Sequence, residues 1–383
     1  MTSTTTDRPA SAQADSPSAR DTVAWRARLK GAFTPDKVGG IYVLIAMIVL
    51  FSIWTPETFP EWDTARQILN NNSVRAMAAL ALVVPLAAGV FDISVANTMT
   101  LSGVMCTYTI VHTDIPIWGA VVIGMLCALV VGVLNAVVVV VAKIDSLIGT
   151  LATGFLIQAM VTWRTGSRNV TSDELAQTFP KIARFQFLDL TLPVFYVVAI
   201  AIAIWFVLQH TATGRRLYAA GFNAQAARLA GVPTAKLKFL ALVCSAGLAG
   251  LAGIVLAATL GSGSPTGGES YLLPAFAAVF LGATQLKPGR FNAFGTLVGI
   301  LMLGTGTTGL ALARQRQWVQ DTFTGVVLIL ALALTSLQVR RAGAESRRAA
   351  AALRHEVQAV DQQASQEQHP GTERPETDRK GSH

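Results

Sequence analysis

Asp92, in the run AGVFDISVANTMTLSG, is the residue whose type and surroundings most invite chemistry, because it is an acid set among apolar neighbours. A carboxylate in or beside a membrane-depth segment is costly, so such acids are candidates for function by default. The same residue also suits the start of a helix, capping from just ahead of Ile93 or Ser94, and both readings stand at this point. Neutral hydrogen-bonding residues recur in the neighbouring apolar stretches: Ser94, Asn97, Asn135, Thr150, Thr153 and Gln158, with Gly282 and Thr284 at a later turn. Hydroxyls and amides at such places bridge helices or line a wet cavity. A lining of that kind suits an uncharged, polyhydroxylated solute, and it transfers no group.

Covalent chemistry finds little support. The apolar stretches hold no Ser/His/Asp set, paired carboxylates or H-E-x-x-H motif. Cys106, Cys127 and Cys244 lie within apolar runs without metal-ligand spacing and read as small packing residues, so no metal site is expected. There is no G-x-x-x-x-G-K-[ST] loop, so any ATP used must be bound by another chain and no cofactor is expected in this one.

The elements that must position these residues follow from composition. With 52% apolar residues, 14% charged residues and a mean hydropathy of +0.49, the chain is too apolar for a soluble domain. Its apolar runs are long enough to cross a bilayer, which predicts an all-α polytopic membrane protein. Spans are expected at about 38–54, 116–142, 145–162, 192–209, 239–260, 271–284, 293–312 and 320–338. The stretch 74–111 is nearly twice a bilayer's need and predicts two more, as a hairpin with Asp92 near its apex, for about ten in all. The 271–284 run is short and is expected to cross, tilt or re-enter. Residues 1–37 read as a largely disordered cytoplasmic tail, 38–338 as the membrane domain, and 339–383 as a polar, partly disordered cytoplasmic tail.

The net charge of +8 is gathered in particular loops and is not interleaved with aromatics, which argues for orientation in a lipid bilayer and against nucleic acid. The acid-free segment 214–239 carries Arg215, Arg216, Arg228, Lys236 and Lys238 and should be cytoplasmic. Within it, AQAARLAG predicts a short helix, opened by Asn223 and closed by Gly231 and Pro233. It reads as a coupling element between two spans or as a loop that is basic only to fix orientation. Ten spans place it with both termini and with the Lys287/Arg290 loop. They also leave Arg164, Arg168, Lys181, Arg184, Arg314 and Arg316 on the far side, against the usual charge rule.

The segments FDISV (91–95), LNAVVVVVAKIDSLIGTLAT (134–153), GRRLYAAGFNAQAARLAGV (214–232) and AAVFLGATQLKPGRFNAFGTLVGILMLGTGTTGLAL (277–312) resemble the permease subunit of ribose-type bacterial ABC importers. That superfamily also holds branched-chain amino-acid permeases. The resemblance runs from about residue 40 to 338 and is most specific over 214–312. It implies an inner-membrane subunit working as a pair, an ABC ATPase docked on the cytoplasmic loop, and an extracytoplasmic sugar-binding protein delivering substrate. Docking falls by resemblance on Gly221, Asn223, Ala226, Ala227, Arg228 and Gly231, and the acidic signature on Asp92, Ser94 and Val95. Ala96-Asn97, Asn135-Ala136, Gly282-Ala283-Thr284-Gln285 and Thr307-Thr308 depart from the family's usual residues and leave the sugar open. The alternatives are a branched-chain amino-acid permease, an ion-coupled secondary transporter and a membrane anchor. The scarcity of acids and histidines in the spans counts against the first two.

Overall fold

The computed structural model describes residues 35–285 and 289–336. The expectations for the two tails and for Lys287 lie outside these residues. In lipid every backbone N–H and C=O must be satisfied within the segment, so the apolar runs become helices. In chain order these are α1 (Pro35–Trp54), α2 (Trp62–Ala87), α3 (Val95–His112), α4 (Ile117–Ala136), α5 (Ser146–Thr165), α6 (Asp173–Thr178), α7 (Lys181–Arg184), α8 (Leu192–His210), α9 (Ala212–Phe222), α10 (Ala224–Leu229), α11 (Thr234–Leu260), α12 (Glu269–Ala283) and α13 (Ala293–Leu312). The last, α14 (Gln317–Ser336), reaches the end of the described residues. α4 runs on into a π-helical turn, Val137–Val141. Strands β1 (Gln186–Phe187) and β2 (Leu190–Thr191) pair antiparallel in a minimal ribbon, the one described exception to an all-helical chain. Among the described residues six helices are long and apolar enough to cross a membrane, α1 and α12 hold shorter apolar stretches, and the molecule is a multi-pass membrane protein.

α2 and α11 form the centre. α11 packs on α3, α4 and α2, while α2 also packs on α8, α12 and α13. The run from Ala76 to Val83 is buried throughout. Small residues let the backbones meet: a Cβ on Gly253 would lie 2.0 Å from the Met99 carbonyl of α3, and one on Gly299 2.4 Å from the Ala278 carbonyl of α12. The glycine rows 247–253 and 295–309 are thus packing surfaces.

Two expectations need correction. The helix expected to begin at residue 74 begins at Trp62, since residues 62–73 are the first half of α2, whose Gln67, Asn71 and Asn72 face a cavity described below. The stretch 74–111 is divided by the turn at Asp92, but α2 and α3 barely touch. The chain leaves α2 for a different neighbourhood instead of folding back along it.

The bundle has two ends. At the Asp92 end, the Phe91 amide donates to Ser146 Oγ (3.1 Å), Tyr218 Oη to the Phe291 carbonyl (2.6 Å), and the Gly40 amide to Gln285 Oε1. At the Val170 end, Val170 bridges Gly263, Arg66 pairs with Asp189 (2.9 Å), and the Thr191 amide donates to Asn70 Oδ1 (3.0 Å). Two of the unexpected cations are engaged there. Arg164 lies over the Tyr108 ring at 4.0 Å, and Arg184 donates twice to the Thr259 carbonyl closing α11. Nothing in the structure explains Arg314 and Arg316.

Candidate functional site

The turn between α2 and α3 holds Asp92 fully buried. Its Oδ1 accepts from the Ser94 amide (3.1 Å) and from Ser94 Oγ (2.7 Å). Ser94 Oγ accepts in turn from Asn135 Nδ2 (2.6 Å) on α4, and Thr153 Oγ1 on α5 donates to Asn135 Oδ1. Four residues singled out in the sequence therefore form one buried chain of hydrogen bonds tying α3, α4 and α5. Thr150 belongs to the same neighbourhood, with its Oγ1 accepting from the Ile93 amide (3.0 Å). The buried Ser245 Oγ faces the Asp92 carboxyl, though neither it nor Asp92 Oδ2 meets strict hydrogen-bond geometry with any described residue. The network can orient helices, but its members have no exposed surface to offer a solute.

The other expected residues are dispersed. Asn97 is half-buried beside Gly154, where an added Cβ would sit 2.6 Å from Asn97 Nδ2. Gln158 donates to the Pro265 carbonyl (3.0 Å) toward the Val170 end. Gly282 is covered by the Thr296 amide of α13, and Thr284 Oγ1 donates to the Leu281 carbonyl (2.7 Å). Both close the α12–α13 connection at the Asp92 end.

A cavity of about 770 Å³ lies at the Val170 end between α2, α12, α13 and α14. α2 contributes Gln67, Asn71 and Arg75, spaced by four and hence on one helix face. α13 adds Thr307 and Thr308, and α14 adds Gln317, Gln320, Asp321 and Thr324. Glu269 and Ser270 stand where α12 begins. Leu273 and Leu328 line this cavity and also an apolar groove of about 630 Å³, which continues to Phe91, Phe276, Phe280 and Thr335 at the Asp92 end. A chamber of mixed polar and apolar lining and an apolar passage thus meet at a pair of leucines.

A family model for the permease component of branched-chain amino acid transport systems matches residues 64–332. The chain belongs to this permease family. The ribose import permease protein of Escherichia coli (strain K12) is 31% identical over 294 residues, covering 76% of this chain and 91% of its own. That of Bacillus subtilis (strain 168) is 30% identical over 299 residues, covering 78% and 92%. The L-arabinose transport system permease protein of Escherichia coli (strain K12) is 29% identical over 297 residues, covering 78% and 89%.

The permease carries its short helix α10 where the sequence predicts one. Asn223 Oδ1 accepts from the amides of Gln225 (3.1 Å) and Ala226 (3.0 Å), and Gly231 ends the turn at φ +78°. Ala227 is buried, and Arg228 Nε is held by Thr234 Oγ1 (2.8 Å), while Ala226 and Arg228 stay exposed. Leu229, which sequence reasoning passed over, is 92% exposed, and Phe222 is 61% exposed. Both are apolar side chains left bare at a helix end. Gly221 makes the inward link, since a Cβ there would lie 2.3 Å from the Ala87 carbonyl that ends α2. Burial pushes the Tyr218 phenol up to about 12 against the opposing charge of Arg290, so its bond to Phe291 keeps its proton. Sequence reasoning also missed Gln67 and Asn71 by starting the span at Val74, and passed over Arg75 just inside it; their four-residue spacing was the available signal.

Proposed function

We propose that this permease forms the pathway for an uncharged sugar or polyol in an ATP-driven importer. Its partners are a separate ABC ATPase, which binds the ATP, and an extracytoplasmic sugar-binding protein. The carrying observation is the cavity over Leu273 and Leu328, whose polar lining is mostly amides and hydroxyls beside the charged Arg75, Glu269 and Asp321. A polyhydroxylated solute exchanges water for these groups, whereas a leucine-like cargo would leave them unpaired. The sugar permeases among its relatives support the same choice over the amino-acid cargo named in the family description.

In this reading α1–α5, α8 and α11–α14 make ten crossings of the bacterial inner membrane. The Asp92 end is cytoplasmic, because the basic, acid-free segment 214–238 lies there. The described chain then begins and ends on the cytoplasmic side, and the Val170 end, with the cavity, faces the binding protein. α10 is the coupling helix on which the ATPase docks, through Gly221, Asn223, Ala226, Ala227, Arg228 and Gly231 together with Leu229. Asp92, Ser94, Asn135 and Thr153 serve the pathway by fixing the α2–α3 turn, with Thr150 and Asn97 beside them. Gln158, Gly282 and Thr284 hold the ends of their helices. A second copy completes the path along α14, whose apolar face is almost uncovered in one subunit.

The test is ATP-dependent uptake by the reconstituted complex, with a panel of pentoses, hexoses and sugar alcohols run beside leucine. Uptake of at least one sugar or polyol is expected. Transport of leucine and of none of the panel would replace this reading with the amino-acid one.

A further inference from the structure

Besides the exposed carboxylates of Glu269 and Asp321, the cavity holds one charge that an amide-and-hydroxyl lining does not require. Arg75 stands thirteen residues after Trp62 and twelve before Ala87, so α2 carries a permanent positive charge at its midpoint. At 1.5 Å per residue that is about 18 to 20 Å from either end, the depth at which a charge is most expensive in a bilayer. Orientation does not call for it, because the charge rule acts at the ends of spans. Nor does an ion pair explain it. Both ion pairs among the described residues belong to Arg66, and the cavity's carboxylates, Glu269 and Asp321, are exposed at its rim.

The guanidinium is nevertheless held in place. Arg75 Nη1 donates to Asn72 Oδ1 (3.1 Å), Asn72 is buried, and Asn72 Nδ2 donates to the Ile68 carbonyl (2.8 Å). Gly304 of α13 leaves the room this needs, since a Cβ there would lie 2.5 Å from Asn72 Nδ2. No other hydrogen bond engages Arg75 among the described residues, and none of its nitrogens is buried without a partner. A planar fork with most of its five donors free, aimed by a buried amide into a wet cavity, is built to grip two adjacent oxygens.

We propose that Arg75 is the residue that holds the cargo at mid-depth, donating its fork to a vicinal pair of sugar hydroxyl oxygens above the Leu273/Leu328 floor. The inference rests on the sugar reading above and adds a specificity-determining contact to it. A carboxylate would satisfy the same fork, so the test separates a neutral sugar from its acid.

The experiment is uptake by the reconstituted importer of a transported sugar, its monodeoxy analogues and the matching sugar acid, for wild type, Arg75→Gln and Arg75→Lys. Particle homogeneity and basal ATPase rate are matched first. Losing one hydrogen bond to a charged group costs about tenfold or more, so wild type should move the parent sugar about tenfold faster than the analogue lacking a gripped hydroxyl. In Arg75→Gln that ratio should fall to near one, and Arg75→Lys should restore it poorly because an ammonium lacks the fork. The ratio of ratios cancels the binding protein's own preference. An unchanged ratio in Arg75→Gln overturns the inference, as does a wild type that prefers the acid. If wild type moves no sugar at all, it is the cargo reading that fails.

Discussion

Replacing Asp92 by asparagine should leave the permease as stable as wild type and transporting, whereas alanine should destabilise it. Asp92 Oδ1 accepts two bonds from Ser94, and an asparagine oxygen accepts the same two. The asparagine amide would occupy the place of Oδ2 and face Ser245 Oγ, which can accept from it. Asp92→Asn is therefore expected to be neutral or slightly stabilising. Asp92→Ala strips the Ser94 hydroxyl and amide of their acceptor, and one buried orphan costs about 1–3 kcal/mol. At about 2–4 °C per kcal/mol for chains of some 200 residues, alanine should lower the midpoint by several degrees. The assay is thermal unfolding of purified protein, followed by uptake at equal surface level. If asparagine proves as damaging as alanine, the charge itself is required, and assigning Asp92 to fixing the turn is wrong.

Leu229→Asp and Arg228→Glu should each release the ATPase from purified complexes and abolish uptake without lowering the amount of permease; survival of both the complex and uptake would remove α10 from the docking surface. Tyr218→Phe should cost about 1 kcal/mol through the lost bond to Phe291, read as a lower unfolding midpoint. Because the Tyr218 pKa is raised to about 12 in the fold from about 10 unfolded, its contribution is complete below pH 10 and is lost only as pH rises toward 12. No dependence on this residue should appear between pH 6 and 9. Reporter fusions at residue 20 and after residue 345 should read as cytoplasmic and one within 165–185 as external; an external C-terminal signal would break the ten-span scheme.

How far the sequence carried depends on what each feature needs. Helix positions were legible because lipid leaves an apolar run no alternative, and α10 because Asn223 and Gly231 punctuate it locally. Asp92, Ser94, Asn135 and Thr153 were found as intramembrane polar residues, and the structure joins them in one network. Buried polar groups and pathway-lining groups look alike in sequence, since only the packing of α3, α4 and α5 decides which are covered. The cavity was harder to see because its stripe begins in residues 62–73, polar enough to resemble a loop. The four-residue spacing of Gln67, Asn71 and Arg75 marks one helix face, but no local pattern reports the cavity that this face lines. The bare Leu229 was invisible for the converse reason, that one leucine in an alanine-rich turn looks buried.

The most direct test is whether cargo passes through the cavity between α2, α12, α13 and α14. Thr308→Cys or Thr324→Cys, with Cys106, Cys127 and Cys244 replaced by alanine, would be treated from outside with a bulky, charged, membrane-impermeant thiol reagent. Complete modification should stop uptake in proportion to labelling, and saturating transported sugar should slow the labelling. Full labelling of both positions with unchanged uptake would contradict the account.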